Sequence, residues 1–402
     1  MVAAVSRRWP SPVFLALATS FVLASACRPA ASPVTGDPAE LERALQAMLD
    51  SVVRADTTLP GAALSVEAPS LGLFWSGAAG VAERTSQMPL TPQHPVRIAS
   101  NTKTFVAAAI LRLWEEEQLG LDDPVTLHLP EPFIRTMRND GYQPDSITIR
   151  HLLTHTSGLF DYADSEPFFE AIMSDPMHRW SRAEQLQAAV DWGEPYGAPG
   201  AVYRYSDTGY ILLGAIIEQV TGVPLAGALR DLLGYERLGL GATWLETLEP
   251  PPTGVADRAH QYLGEIDTYD FDPSFDLYGG GGLASSVEDL RAFINGLFTG
   301  YVFANLTTSD TMLATIHGAE AGPAAWGSEQ VPGVYRMGIW VDEVEGTTVY
   351  MHTGFWGTLA AYAPDLNASI GAAVTQQESR ALHLRQLLWR TLALLGELAS
   401  TD

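Results

Sequence analysis

The amino-acid sequence predicts an α+β protein: an antiparallel sheet built from both chain ends and flanked by helices, with a mostly helical domain inserted between the two halves. Three observations predict it. Strand-like alternation is concentrated near the two ends, the segments outside it have helical apolar spacing, and the long middle is cut by Pro, Gly and acidic turns into amphipathic pieces.

From the N-terminal side, Glu40 to Arg54 sets Leu41, Leu45, Met48, Leu49 and Val52 on one helical face. Two strands are expected next, Gly61 to Glu67 and Leu71 to Gly77, around a Pro69-Ser70 turn. Ser100 should open a helix running to about Gln118, with Gly120 in the C-terminal capping position. Its run from Phe105 to Leu111 is apolar on most faces, which predicts a central, buried helix. Between Leu121 and Thr299 helices such as Ala183 to Val190 and Ile211 to Thr221 alternate with loops. Strand periodicity returns at Val334 to Val341, Thr347 to Met351, Leu359 to Ala363 and Ile370 to Thr375, and Leu382 to Leu398 reads as a last helix. The expected organisation is a sheet domain from 39–120 and 300–398, with a mostly helical domain at 121–299. A body of this size exceeds what one hydrophobic core usually serves, so the two should share a cleft.

The first 27 residues read as a signal segment. Arg7 and Arg8 precede an apolar stretch, Val13 to Ala26, too short to span a bilayer. Its end, Leu23-Ala24-Ser25-Ala26-Cys27, resembles a bacterial lipoprotein cleavage box, with Ala24 where leucine is usual. Residues 28–38 form a Pro/Ala/Ser-rich tether. The expectation is an exported protein, periplasmic or at the cell surface, touching the membrane only through a lipid on Cys27. Cys27 is the only cysteine, which excludes an internal disulfide or a thiolate metal cluster in the body. A formal net charge of −24 argues against nucleic-acid partners.

The chain has 22 arginines and a single lysine, Lys103, three residues after Ser100. A bias towards arginine codons accounts for the scarcity but not for the position. Guanidinium keeps its proton above pH ~12, whereas a desolvated ammonium can release one. A serine beside such an amine is a nucleophile with its activator. On a helix, positions three apart share a face, and a helix start favours developing negative charge.

Two further motifs follow in order: Tyr205-Ser206-Asp207 and His352-Thr353-Gly354. With Ser100-x-x-Lys103 they resemble the serine β-lactamase and penicillin-binding superfamily, in the branch of class C β-lactamases, D-alanyl-D-alanine carboxypeptidases and related esterases. The resemblance runs from about 40 to 395 and includes Ile149 to Leu159 and Gly281 to Ser286. It implies a β-lactamase/transpeptidase-like fold and no cofactor. It further implies an acyl-enzyme on Ser100, activation by Lys103, and proton transfer through Tyr205. The oxyanion hole would be the backbone amides of Ser100 and Phe355, and Asp207, His352, Thr353 and Gly354 would bind substrate. Loss of one oxyanion donor typically costs ~3–4 kcal/mol of transition-state stabilisation.

Two departures bear on the substrate. Asp207 stands where asparagine is usual, placing an anion near Lys103 and favouring its charged form. Either Asp207 points away, or Lys103 stays charged and polarises Tyr205, which then acts as base; the second is the preferred reading. His352 stands where lysine is common, removing a permanent cation. Both weaken the case for an efficient β-lactamase and leave a serine esterase or D-amino-acid peptidase, with a small ester, peptide or β-lactam as substrate. The alternatives are a weak class C-like β-lactamase and a lipoprotein that binds penicillin or cell-wall peptides without turnover.

Three other patterns are read as structural. His151 and His155 have helical metal-ligand spacing but no third ligand, so they form a structural pair and no metal is expected. Gly279 to Gly282 lacks the residues of a phosphate loop and reads as a flexible turn near the cleft. Asp267 to Asp276 lacks the glycine and glutamate of a calcium loop and reads as a cleft lip. The absence of a Gly-x-Ser-x-Gly elbow counts against an α/β-hydrolase.

Overall fold

A computed structural model of the protein describes residues 38–315 and 334–399. The signal segment, residues 28–37 of the tether and the lipid attachment expected at Cys27 lie outside the described residues. The sheet is antiparallel and seven-stranded. In spatial order its strands are Leu73–Gly80, Gly61–Ala68, Ala368–Val374, Thr358–Ala363, Thr347–Gly354, Trp340–Val344 and Val334–Tyr335. The N-terminal hairpin joins the C-terminal strands where Gly61–Ala68 pairs with Ala368–Val374, with Val66 opposite Ile370. Both chain ends therefore build one sheet, as the alternation predicts.

Period two along the strands divides their side chains between two cores. Leu64, Val66, Ile370 and Ala372 face the terminal helices Pro38–Ala55 and Arg380–Ala399, against Leu41, Leu45, Leu387 and Leu388. Ala63, Ala360 and Ala373 face the other way, into the core of the inserted region. Small residues on that face admit the helix Val287–Phe298, which lies across Gly61–Ala68, Thr358–Ala363 and Ala368–Val374. Although this helix falls inside 121–299, it packs on the sheet. All described residues belong to one compact unit. No single helix among them is long and apolar enough to cross a membrane.

Three local expectations are corrected. Ser100 lies in a short 3-10 turn, Ala99–Asn101, and the α-helix runs Thr102–Glu115, stopping short of Gln118. Its end is marked by Glu117 in the left-handed region (φ 55°), while the Gly120 amide donates instead to Asp123 Oδ2 at 2.7 Å. The stretch expected as one strand, 334–341, breaks after Tyr335 and resumes at Trp340, with Gly338 at φ 73° in between. A Cβ on Gly338 would lie 2.4 Å from Ala107 Cβ and 2.9 Å from the Lys103 carbonyl, so the break lets the backbone pass close to the buried helix. That helix is central, as expected. Lys103 to Leu111 are all buried, and Phe105 stacks on Phe293 at 3.5 Å between ring centroids.

Candidate active site

The Ser100 turn is held from two directions. Val96–Arg97 pairs with Leu283–Ser285, Arg97 opposite Ala284, which brings the glycine run 279–282 alongside the start of the buried helix. From the other side, Thr358 Oγ donates to the Ile98 carbonyl at 3.0 Å and accepts from Asn101 Nδ2 at 2.8 Å. A Cβ on Gly354 would lie 2.2 Å from the Ile98 oxygen, so only glycine lets the strand end Thr353-Gly354 meet the turn. Ala99, immediately before Ser100, sits at φ 44°, a strained value for alanine of the kind that collects at functional sites.

The structure brings Ser100, Lys103, Tyr205 and Asp207 together. Lys103 is fully buried; Nζ donates to Ser100 Oγ at 3.1 Å and to the Gly280 carbonyl at 2.6 Å, and it is ion-paired with Asp207. Three partners match the three donors of an ammonium. Tyr205 lines the same pocket as Ser100, and its ring centroid lies 4.9 Å from Lys103 Nζ. Burial, then the charge of Asp207, raises the Tyr205 phenol well above its ordinary range. The phenol is therefore neutral at rest, which disfavours Tyr205 as the resting base. Asp207 faces Lys103 rather than pointing away. It occupies the first position of the helix Asp207–Thr221, where the dipole favours a carboxylate.

His352 is buried, with Nδ1 2.8 Å from the Thr353 carbonyl and Nε2 3.3 Å from the Tyr335 hydroxyl. Burial first, and then the Lys103 charge, lowers its pKa to about 3, so it stays neutral. His352, Thr353, Gly354 and Phe355 line the same pocket as Ser100. That pocket has a volume of about 850 Å³, and Phe168, Phe169, Phe271, Phe275, Trp340 and Trp356 contribute apolar wall.

Two carboxylates at the pocket went unrecognised as site residues in the sequence. Asp161 is buried and accepts the backbone N–H groups of Asp207 and Ala163, each at 3.1 Å. Burial and the neighbouring Asp207 charge push its carboxyl well above the usual range. Asp276 is pushed up to about 7, by burial first and then by Asp207. No motif marks Asp161. Asp276 closes the segment read as a cleft lip, and Phe271 and Phe275 of that segment do line the pocket. Arg97 ties the lip down, donating to the Thr268 carbonyl at 3.0 Å and the Phe271 carbonyl at 2.6 Å.

The glycine run is packed rather than loose. A Cβ on Gly281 would sit 2.0 Å from Asp276 Oδ1, and one on Gly280 3.3 Å from Asp207 Cβ. The His151/His155 pair separates into two structural roles. His151 completes a capping box with Thr148, while the His155 ring is enclosed by Tyr205, Tyr210 and Tyr335. Among the described residues no group of three or more His, Cys, Asp and Glu side chains could hold a metal ion.

The Beta-lactamase family model matches residues 46–394. Esterase EstB of Burkholderia gladioli is 28% identical over 367 residues, 84% of this chain and 90% of EstB. Among solved structures, a D-stereospecific amidohydrolase from Streptomyces sp. is similar with a TM-score of 0.69 at 27% identity, over 86% of this chain and 98% of that one. A penicillin-binding protein from Bacillus halodurans is similar with a TM-score of 0.66 at 25% identity, over 86% and 98% of the respective chains.

Proposed function

This chain belongs to the Beta-lactamase family and is a hydrolase of the serine hydrolase superfamily, and from that premise we propose an esterase or amidase that works through an acyl-enzyme on Ser100. The observation that carries the reading is the 3.1 Å contact between Ser100 Oγ and the chain's only lysine, with the Tyr205 ring centroid 4.9 Å from the same amine in a pocket of about 850 Å³.

In the proposed cycle, Ser100 Oγ attacks the substrate carbonyl carbon as its proton passes to Lys103 Nζ. Lys103 hands a proton on to Asp207 in the same movement, so the ammonium count is unchanged. The backbone amides of Ser100 and Phe355 receive the oxyanion. Tyr205, a neutral phenol, gives its proton to the leaving oxygen or nitrogen as the carbonyl–leaving-group bond breaks. It recovers a proton from Lys103, and Asp207 returns one to the amine. The net transfer is one proton from Ser100 to the leaving group. Water then attacks the acyl-enzyme by the reverse route, regenerating Ser100 and releasing the acid. General acid–base transfer of this kind contributes typically 10²–10⁴-fold.

Two features favour esters and amides over β-lactams. Neutral, buried His352 offers no permanent cation to a substrate carboxylate, and Asp207 presents an anion beside the nucleophile. The aromatic wall suits an apolar acyl or leaving group. The test is product release from p-nitrophenyl acetate and butyrate. Many turnovers per enzyme in steady state are expected. A single stoichiometric burst would instead mark an acylating trap, and no release from any ester or amide would leave a binding module.

A further inference from the structure

We infer that His155 is the positioning residue for Tyr205, gripping the chain on either side of it and stacking on its ring, and so sets the pose from which the phenol transfers protons. The inference rests on the reading in which Tyr205 carries a proton to the leaving group.

Three contacts converge on one side chain and its own backbone. The Arg204 N–H donates to the His155 carbonyl at 2.9 Å, and the Ser206 N–H donates to His155 Nδ1 at 3.1 Å. These are the residues immediately before and after Tyr205. Between them the imidazole lies against the phenol ring, centroids 4.1 Å apart and planes 34° apart. Tyr335 and Tyr210 close the ring's other sides at 4.6 and 5.0 Å. The backbone pairing begun by Arg204 continues outward as Gly200 N–H to the Thr156 carbonyl at 2.7 Å and Tyr196 N–H to the Gly158 carbonyl at 2.8 Å. The run His155 to Gly158 is thus the rail along which the segment carrying Tyr205 is laid. Gly158 permits it, since a Cβ there would lie 2.2 Å from the Gly197 oxygen.

The chemistry requires a neutral imidazole. Nδ1 can accept the Ser206 N–H only without a proton of its own, so the single ring proton belongs on Nε2. Burial keeps the ring in that state, aided by the Lys103 charge close by. His155 also holds φ 55°, a costly backbone value for a side chain that served only to fill space. It is 1% exposed and does not line the substrate pocket, so its influence on catalysis has to pass through Tyr205.

The experiment measures kcat and KM for p-nitrophenyl acetate in the full chain and four variants: Tyr205→Phe, His155→Asn, His155→Gln, and the double variant Tyr205→Phe/His155→Gln. Asparagine can place its amide oxygen where Nδ1 sits and tolerates positive φ; glutamine reaches past that point. His155→Gln should lose about 10²-fold in kcat at nearly unchanged KM, and His155→Asn should stay within about fivefold of wild type. In the Tyr205→Phe background His155→Gln should cost nothing further. Losses that multiply in the double variant, or equal losses in the Asn and Gln variants, would overturn the inference. So would a wild-type kcat in His155→Gln while Tyr205→Phe is impaired, an outcome that leaves the proton role of Tyr205 standing. A wild-type kcat in Tyr205→Phe would overturn both.

Discussion

Lys103→Arg is expected to fold and to lose about 10³-fold or more of kcat on esters. The substitution keeps a cation among Asp207, Asp161 and Asp276 but replaces an amine that can exchange protons with a group that cannot. The distinction matters because the site holds several carboxylates around one fully buried ammonium. Truncation to methionine would leave Asp207 unpaired, a change that typically costs about 3–5 kcal/mol, and lost activity there would confound chemistry with folding. Arginine avoids that penalty, although its larger head in a site with no free surface should cost about 1–3 kcal/mol of packing. Denaturant midpoints measured beside kcat separate the two. Wild-type turnover in Lys103→Arg would remove the amine from the mechanism.

The second large effect is on stability. The Asp276 carboxyl is pushed up to about 7 from an unperturbed 3.8, by burial first and then by the Asp207 charge. Between these two values the folded protein holds a proton that the unfolded chain has released. Stability from this group therefore falls as pH rises through the window and is lowest above about 7. The neutral amide introduced by Asp276→Asn has no such proton to lose. That variant should be close to neutral at pH 4 and stabilising by roughly 2–4 kcal/mol at pH 8. Urea denaturation at the two pH values checks the sign, and destabilisation at pH 8 would show that the carboxylate has a favourable partner when ionised.

Much of this site was legible because its residue types are singular. A lone lysine three residues from a serine needs no tertiary information to stand out, and neither do the Tyr205 and His352 motifs once their order is seen. The sheet was legible because larger side chains such as Leu64, Val66 and Ile370, facing the terminal helices, alternate with small ones such as Ala63 and Ala373 on the opposite, equally buried face. Other features depend on distant pairings. Asp161 reaches the site because its carboxyl group caps the Asp207 amide, and His155 gains its role only when the run from His155 to Gly158 lies beside 196–206. The boundaries of the Ser100 helix were misjudged for a local reason. Strained Ala99 and Glu117 take the conformations at its two ends, whereas glycine signals pointed to Gly120. Position in the chain puts Val287–Phe298 within the inserted region, and its apolar face does not say that the sheet is the layer covering it.

Acylation of Ser100 Oγ is the step on which the proposed activity depends. Intact-protein mass spectrometry after incubation with a fluorophosphonate, a penicillin and short acyl esters, on wild type and Ser100→Ala, addresses it most directly. One fluorophosphonate adduct per chain is expected in wild type, mapped to Ser100 by peptide analysis and absent from Ser100→Ala, with ester acylation exceeding penicillin acylation. An adduct that persists in Ser100→Ala, or a wild-type protein that stays unmodified while hydrolysing esters, would contradict the claim.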